Sequence, residues 1–330
     1  MRCYKASQEQ NDKLYRLIKM DITLLYNPTA GKGEFDLDST LAFLTNYSAN
    51  ILAINTKEDD YRHALNSPAD LLIIAGGDGT IEKIIRAMKK QGITNPIAIL
   101  PFGNANNIAN GLCVENNLAA TLKSWHKGIF YPLSVGKATT PHTSYYFVES
   151  IGWGLFKNLL DSDHLHQHND DTNKIQAGKK VALKEYSRLT PSNYEITLDS
   201  RDYSGHYLWV EIMNSKRMGP ALSLAPDAVS HDRFLDVFLV AAHERKKLGN
   251  YLKSHYSNYA TPEIETIKAK EIFIKTSKQF HIDDELSDPI EHQKKDVIQA
   301  HITLTEGTIP VVNTKFTSKP AKMIGDSRPK

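Results

Sequence analysis

Three glycines surround one carboxylate in Gly76-Gly77-Asp78-Gly79-Thr80, directly after the apolar run 71–75 and before a helical stretch. Glycine lets backbone approach a ligand closely, and a helix start offers free N–H groups to an anion. Such a turn could cradle a phosphate; the plainer alternative is an ordinary strand-to-helix connection. Asp78 is too negative to face a phosphate alone, so it would act through a metal ion, a ribose hydroxyl or a substrate hydroxyl. Two other loops carry related chemistry. In Asn27-Pro28-Thr29-Ala30-Gly31-Lys32-Gly33, Lys32 sets a cation where a polyphosphate could lie, although taken alone the segment reads as a surface turn. The other is Pro101-Phe102-Gly103-Asn104-Ala105-Asn106-Asn107. Far along the chain stands His281-Ile282-Asp283-Asp284-Glu285. Two carboxylates at a strand end, beside bound phosphates, can take a hydroxyl proton; by itself the segment reads as a solvated acidic turn.

Periodicity supplies the elements that would position these loops. Residues 22–26, 51–54, 71–75 and 97–100 are short apolar runs, the pattern of strands buried on both faces. Ile81, Ile84, Ile85 and Met88 fall on one helical face, and Gly92 can end that helix after Lys89 and Lys90. Strand and helix patterns alternate, which predicts a doubly wound, mostly parallel sheet with the three loops beyond the carboxyl ends of its strands. From about Gly136 the rhythm changes to aromatic and alternating runs such as 145–148, 194–198, 207–212, 234–240, 271–275 and 298–304, an antiparallel second domain.

The totals set bounds. With 330 residues the chain can bury two cores, and a net charge of +2 argues against a dedicated nucleic-acid binder. Only Cys3 and Cys113 occur, which excludes a disulfide framework and fits a reducing, cytoplasmic setting. No stretch approaches the ~20 apolar residues of a membrane span, so any meeting with a membrane would be peripheral, on its inner face. His164, His166 and His168 alternate among carboxylates, but zinc demands fixed geometry, and a polar loop is the simpler reading. The basic helical run 174–189 reads as a solvated face, and the cationic tail 315–330 as unstructured with at most weak attraction to anionic lipid.

In order and spacing, the three loops resemble the catalytic domain of the diacylglycerol kinase and sphingosine kinase superfamily, including the bacterial lipid kinases. Asn27, Pro28, Gly31, Thr56, Gly76 to Thr80, Pro101, Gly103, Asn106 and Ala109 match its pattern. Further on, Leu224-Ala225-Pro226-Asp227-Ala228 and Asp232-Arg233-Phe234-Leu235-Asp236 echo two segments of its lipid-binding domain. Departures occur at Asn104 for Thr, Asn107 for Asp, Glu82-Lys83 for Asn-Glu, Arg233 for Gly and Asp284 for Gly.

The resemblance implies an NAD-kinase-like α/β domain over residues 1–136, rejoined by 307–330, and a β-sandwich-like lipid-substrate domain over 137–306. It implies an ATP-dependent, Mg²⁺-assisted lipid kinase that phosphorylates a hydroxyl of a diacylglycerol-like lipid at the membrane surface. Asn27, Gly31, Lys32, Thr56, Gly76, Gly77, Gly79, Thr80, Gly103, Asn104 and Asn106 would hold the nucleotide. Asp283 would take the hydroxyl proton, Glu285 would orient it or share the metal, and Asp78 would organise the metal, with Asp232 a second metal candidate. A kinase of a soluble alcohol such as NAD and a non-catalytic nucleotide- or lipid-binding member are the alternatives, and a homo-oligomer is left open.

Overall fold

A computed structural model describes residues 19–33, 35–58, 60–162, 174–254, 261–287 and 297–314. The histidine triplet at 164–168 and the tail 315–330 lie outside the described residues.

The predicted apolar runs form β1 (Met20–Tyr26), β2 (Ser48–Asn55), β3 (Leu71–Gly76) and β4 (Ile97–Pro101), all mutually parallel in the order β2-β1-β3-β4. Because side chains alternate across a strand, Leu72 and Ile74 face one layer and Leu71, Ile73 and Ala75 the other. The first layer is covered by helix α3, which follows the shorter helices α1 (Leu37–Leu44) and α2 (Tyr61–Ala64) and runs Asp78–Gln91. Its buried Ile81, Ile84, Ile85 and Met88 each contribute ~1.5–3 kcal/mol by leaving water. The helix ends as expected at Gly92, whose φ of 70° is the left-handed conformation that closes a helix. The other layer is covered by Leu44 of α1 and, beyond the short helix α4 (Asn107–Gly111), by Leu122 of α5 (Leu118–His126).

Strand β5 (Phe130–Leu133) and the late strand Ile309–Val312 extend this sheet; the late strand runs parallel to β4 and antiparallel to β5. Between them in sequence, twelve strands form a wholly antiparallel sheet system. Strand Gly205–Met213 links its two halves, pairing with Ser192–Leu198 at its start and with Ser150–Trp153 and Leu235–Ala241 further on. Phe147, Ile151, Ile196, Ile212, Ile272 and Ile302 fill the space between the halves. Trp209 and Phe238 instead pack outward among Leu155, Phe156 and Leu248. The α/β domain and the antiparallel, sandwich-like second domain are thus the architecture that the periodicities imply.

Candidate active site between the two domains

Strand β3 delivers the chain to Gly76 and Gly77, and two different constraints act on the glycines there. A Cβ on Gly76 would lie 2.7 Å from Thr80 Cβ, and one on Gly77 would lie 3.0 Å from Gly103 Cα. Packing of the turn on itself and on the neighbouring loop therefore demands these two. A Cβ on Gly79 meets nothing within 4 Å. Gly79 opens instead onto a cleft of about 460 Å³, within the range of small-molecule sites.

The cleft lies beyond the carboxyl ends of the parallel strands and collects most of the predicted nucleotide residues: Asn27, Gly31, Thr56, Gly77, Gly79, Thr80, Gly103 and Asn104, together with Asp78. Asn27 Nδ2 donates to Thr80 Oγ1 at 3.1 Å and Thr56 Oγ1 to the Tyr26 carbonyl at 3.1 Å, so β1, β2 and α3 are laced together at the rim. The start of α3 has no side-chain cap, which leaves its dipole facing the cleft. Gly76 lies behind the wall. Asn106 is a brace rather than a ligand contact: its amide exchanges two hydrogen bonds of 2.8 Å with the Gly103 backbone, and its own φ is 48°. The Lys32 side chain lies outside the described residues.

Asp78 is tied to a different partner from the one expected. Its Oδ2 accepts the Asn107 N–H at 3.0 Å and its Oδ1 the Ile108 N–H at 3.1 Å, so it caps α4 and locks two loops together. Burial pushes its pKa up, and these N–H groups pull it back. Asp232 receives the ammonium of Lys268, which also lies 3.7 Å from Asp236. Among the described residues no three Asp, Glu, His or Cys side chains converge as a metal cage. Mg²⁺ shared with nucleotide phosphates takes only one or two carboxylates from a protein, and Asp78 lines the cleft where it would supply one.

The acidic turn shows the largest difference from expectation. Asp283 and Asp284 form the two-residue turn of a small hairpin in which Ile282 pairs with Glu285. Asp283 is 1 % exposed, has a φ of 49° and does not line the cleft. Its carboxylate accepts the N–H groups of Val148, Glu149 and Ser150 at 2.8 to 3.2 Å. Glu285 turns away to Arg86 of α3, Nη1 to Oε2 3.0 Å, an ion pair across the domains. Asp284, which carried no role in the sequence reading, is the member of the turn that lines the cleft opposite Asp78 and Gly79. A carboxylate standing where the resemblance implies glycine was the available signal.

Two buried carboxylic acids were also missed. Glu82 and Glu149 are each 1 % exposed, and neither oxygen of Glu82 nor Oε1 of Glu149 meets a protein donor. Burial raises both pKa values well above the ordinary range, with the neighbouring acids adding to it, so the site favours the protonated form of each. Arg86 offsets part of this field for Glu82 and Asp283. Lys57 and Lys83 line the cleft as its cations.

Comparison with known proteins agrees with this geometry. Residues 21–138 match the diacylglycerol kinase catalytic domain, and residues 167–297 the YegS C-terminal NAD kinase beta sandwich-like domain. The chain carries a diacylglycerol kinase catalytic domain followed by a YegS C-terminal NAD kinase beta sandwich-like domain. Among similar proteins, a diacylglycerol kinase of Staphylococcus aureus (strain bovine RF122 / ET3-1) is 24 % identical over 280 residues, covering 79 % of this chain and 85 % of its own. A probable lipid kinase YegS-like of Klebsiella pneumoniae (strain 342) is 24 % identical over 200 residues, 61 % of this chain and 64 % of its own length, less than two thirds of that relative. A crystal structure of a diacylglycerol kinase from Bacillus anthracis str. Sterne superposes with a TM-score of 0.65 at 23 % identity, over 89 % of this chain and 97 % of that one, which shows the shared fold. Against the family pattern, Asn107 acquires a reason: its Nδ2 donates to the Gly219 carbonyl of the second domain at 3.0 Å, which a carboxylate could not do. Arg233 keeps the left-handed turn of the glycine it replaces, with φ 66°.

Proposed function

We propose that the chain is an ATP-dependent lipid kinase that transfers the γ-phosphate to a hydroxyl of a diacylglycerol-like lipid presented at a membrane surface. The observation that carries this is the composition of one cleft. Its floor is glycine backbone and an uncapped helix start from the α/β domain, and its opposite side includes Asp284 and Gly219 from the antiparallel domain. Phosphoryl transfer asks chiefly for alignment and charge neutralisation. Backbone N–H groups at Gly77 to Thr80 with Lys57 and Lys83 suit a polyphosphate, while Tyr61 and Phe102 offer ring faces to a base. The acceptor alcohol then enters from the side of the second domain, for which we assign residues 137–306 the role of lipid holder. No described helix is long and apolar enough to cross a membrane, so in this reading the protein meets its lipid from the surface.

A soluble acceptor is the competing reading, because the profile matching residues 167–297 is named for its likeness to NAD kinase. Incubation of the full chain with γ-labelled ATP, dispersed membrane lipid and NAD in one mixture separates them. Label in the organic phase after chloroform extraction is the expected result; label confined to the aqueous dinucleotide would overturn the lipid assignment.

A further inference from the structure

We propose that Asp284, and not its neighbour Asp283, is the catalytic base that takes the proton of the acceptor hydroxyl. This rests on the kinase reading above and assigns one chemical step within it. A base must reach the reacting hydroxyl and must keep an oxygen lone pair for the proton. Asp283 fails on the first. Its carboxylate is folded back onto the 148–150 backbone, where three N–H groups converge on Oδ1 and Oδ2 shares the Val148 N–H, and it does not line the cleft. Glu285 fails on the first, being drawn to Arg86 on the far flank of the turn. Glu82 is buried beneath helix α3 and does not reach the cleft wall. Asp284 is exposed and lines the same cleft as Gly219, Gly77 and Gly79.

The surroundings explain how the turn achieves this. His281 is fully buried, with Nδ1 2.8 Å from the Asp283 carbonyl and Nε2 3.0 Å from Glu211 Oε1. The Asp283 carbonyl can only accept, so Nδ1 donates to it; burial pulls the pKa of the ring down, and the Glu211 carboxyl beside Nε2 more than offsets this and raises it. With Asp283 anchored by its carboxylate and by its carbonyl, the next residue is pushed outward. Asp283 is therefore a positioning residue, and the positive φ it adopts is held by four hydrogen bonds around it. The same surroundings suit Asp284 to accept a proton. Burial of the cleft wall, then the charges of Asp283 and Asp78, push its pKa up to about 6, close to neutrality, where a general base works best.

In the step itself the hydroxyl oxygen forms a bond to the γ-phosphorus, and the bond from that phosphorus to the β,γ-bridging oxygen breaks. ADP leaves with the electron pair. The hydroxyl proton passes to the Asp284 carboxylate and from there to solvent.

Three variants of the full chain test the assignment, with dioleoylglycerol micelles as acceptor and ATP binding measured separately by calorimetry. Asp284→Asn is expected to lose ~10²–10⁴-fold in kcat while its melting temperature is unchanged and its ATP affinity stays within a few fold. Asp284→Glu should recover part of the rate. Asp283→Asn, which loosens the turn that positions Asp284, is expected to melt at lower temperature and to lose less kcat, per folded molecule, than Asp284→Asn. Near-normal turnover by Asp284→Asn overturns the proposal, as does a folded, ATP-binding Asp283→Asn that has lost turnover more than the Asp284 variant. Should the wild-type chain bind ATP and phosphorylate no lipid, the kinase reading itself falls; a wild type that turns over normally beside an equally active Asp284→Asn removes Asp284 alone.

Discussion

Arg86 Nη1 lies 3.0 Å from Glu285 Oε2, so the helix that begins at the glycine turn is bolted near its middle to the acidic hairpin of the other domain. The two partners are not equivalent. Glu285 is half-exposed, whereas the Arg86 side chain is 14 % exposed and also faces the charges of Asp283 and Glu82. Truncating Glu285 to Gln should cost no more than about 1 kcal/mol, the usual worth of an ion pair open to water. Arg86→Met strips the buried carboxylates of their cation and should cost on the order of 3 kcal/mol. Urea midpoints of the two variants decide this, and equal midpoints would show that the buried acids do not depend on Arg86.

Asn107→Asp tests the second link between the domains. The present amide donates to the Gly219 carbonyl, while a carboxylate would set two acceptors against each other in a site 3 % exposed. The expected loss is ~1–3 kcal/mol, with ATP affinity reduced because Gly219 lines the cleft and the Asn107 N–H holds Asp78, which lines it too. A variant as stable as the wild type would remove Asn107 from the interface.

Acidity gives a third expectation. Glu82 and Glu149 have folded pKa values raised by burial, so between the ordinary carboxylate range and those raised values the native state binds more protons than the unfolded chain. Their contribution is most favourable below about pH 4.5 and is lost progressively as pH rises through that window. Glu82→Gln should flatten the fall in stability from pH 5 to pH 8, followed by thermal melts across the range. An unchanged slope would mean that Glu82 is not held neutral.

Much of this was legible in the residues because it rests on local period and on glycine. The apolar runs 71–75 and 97–100 and the face Ile81, Ile84, Ile85, Met88 specify elements without long-range information. The clustering of Asn27, Thr56, Gly79 and Asn104 in one cleft follows once those strands are parallel. What failed to show was direction. Asp283 and Asp284 are adjacent and chemically identical, and only the Val148–Ser150 backbone, more than 130 positions away, decides which carboxylate is sequestered. The resemblance points to Asp283, whereas the cleft is lined by Asp284. Glu82 entered the sequence reading only as a departure from the family pattern, and its burial beside the charges of Asp283 and Asp284 depends on contacts far along the chain. For Asp232 the Lys268 partner comes from a strand 36 positions later.

The most direct measurement is the affinity of the wild type and of Gly79→Val for ATP, each paired with a melting curve. A Cβ at Gly79 meets nothing within 4 Å outside its own turn of helix, so the variant is expected to keep the fold while crowding the cleft that Gly79 lines. The account predicts at least a tenfold loss of ATP affinity, about 1.4 kcal/mol, with no fall in melting temperature. Equal affinity for ATP in the two proteins would contradict it.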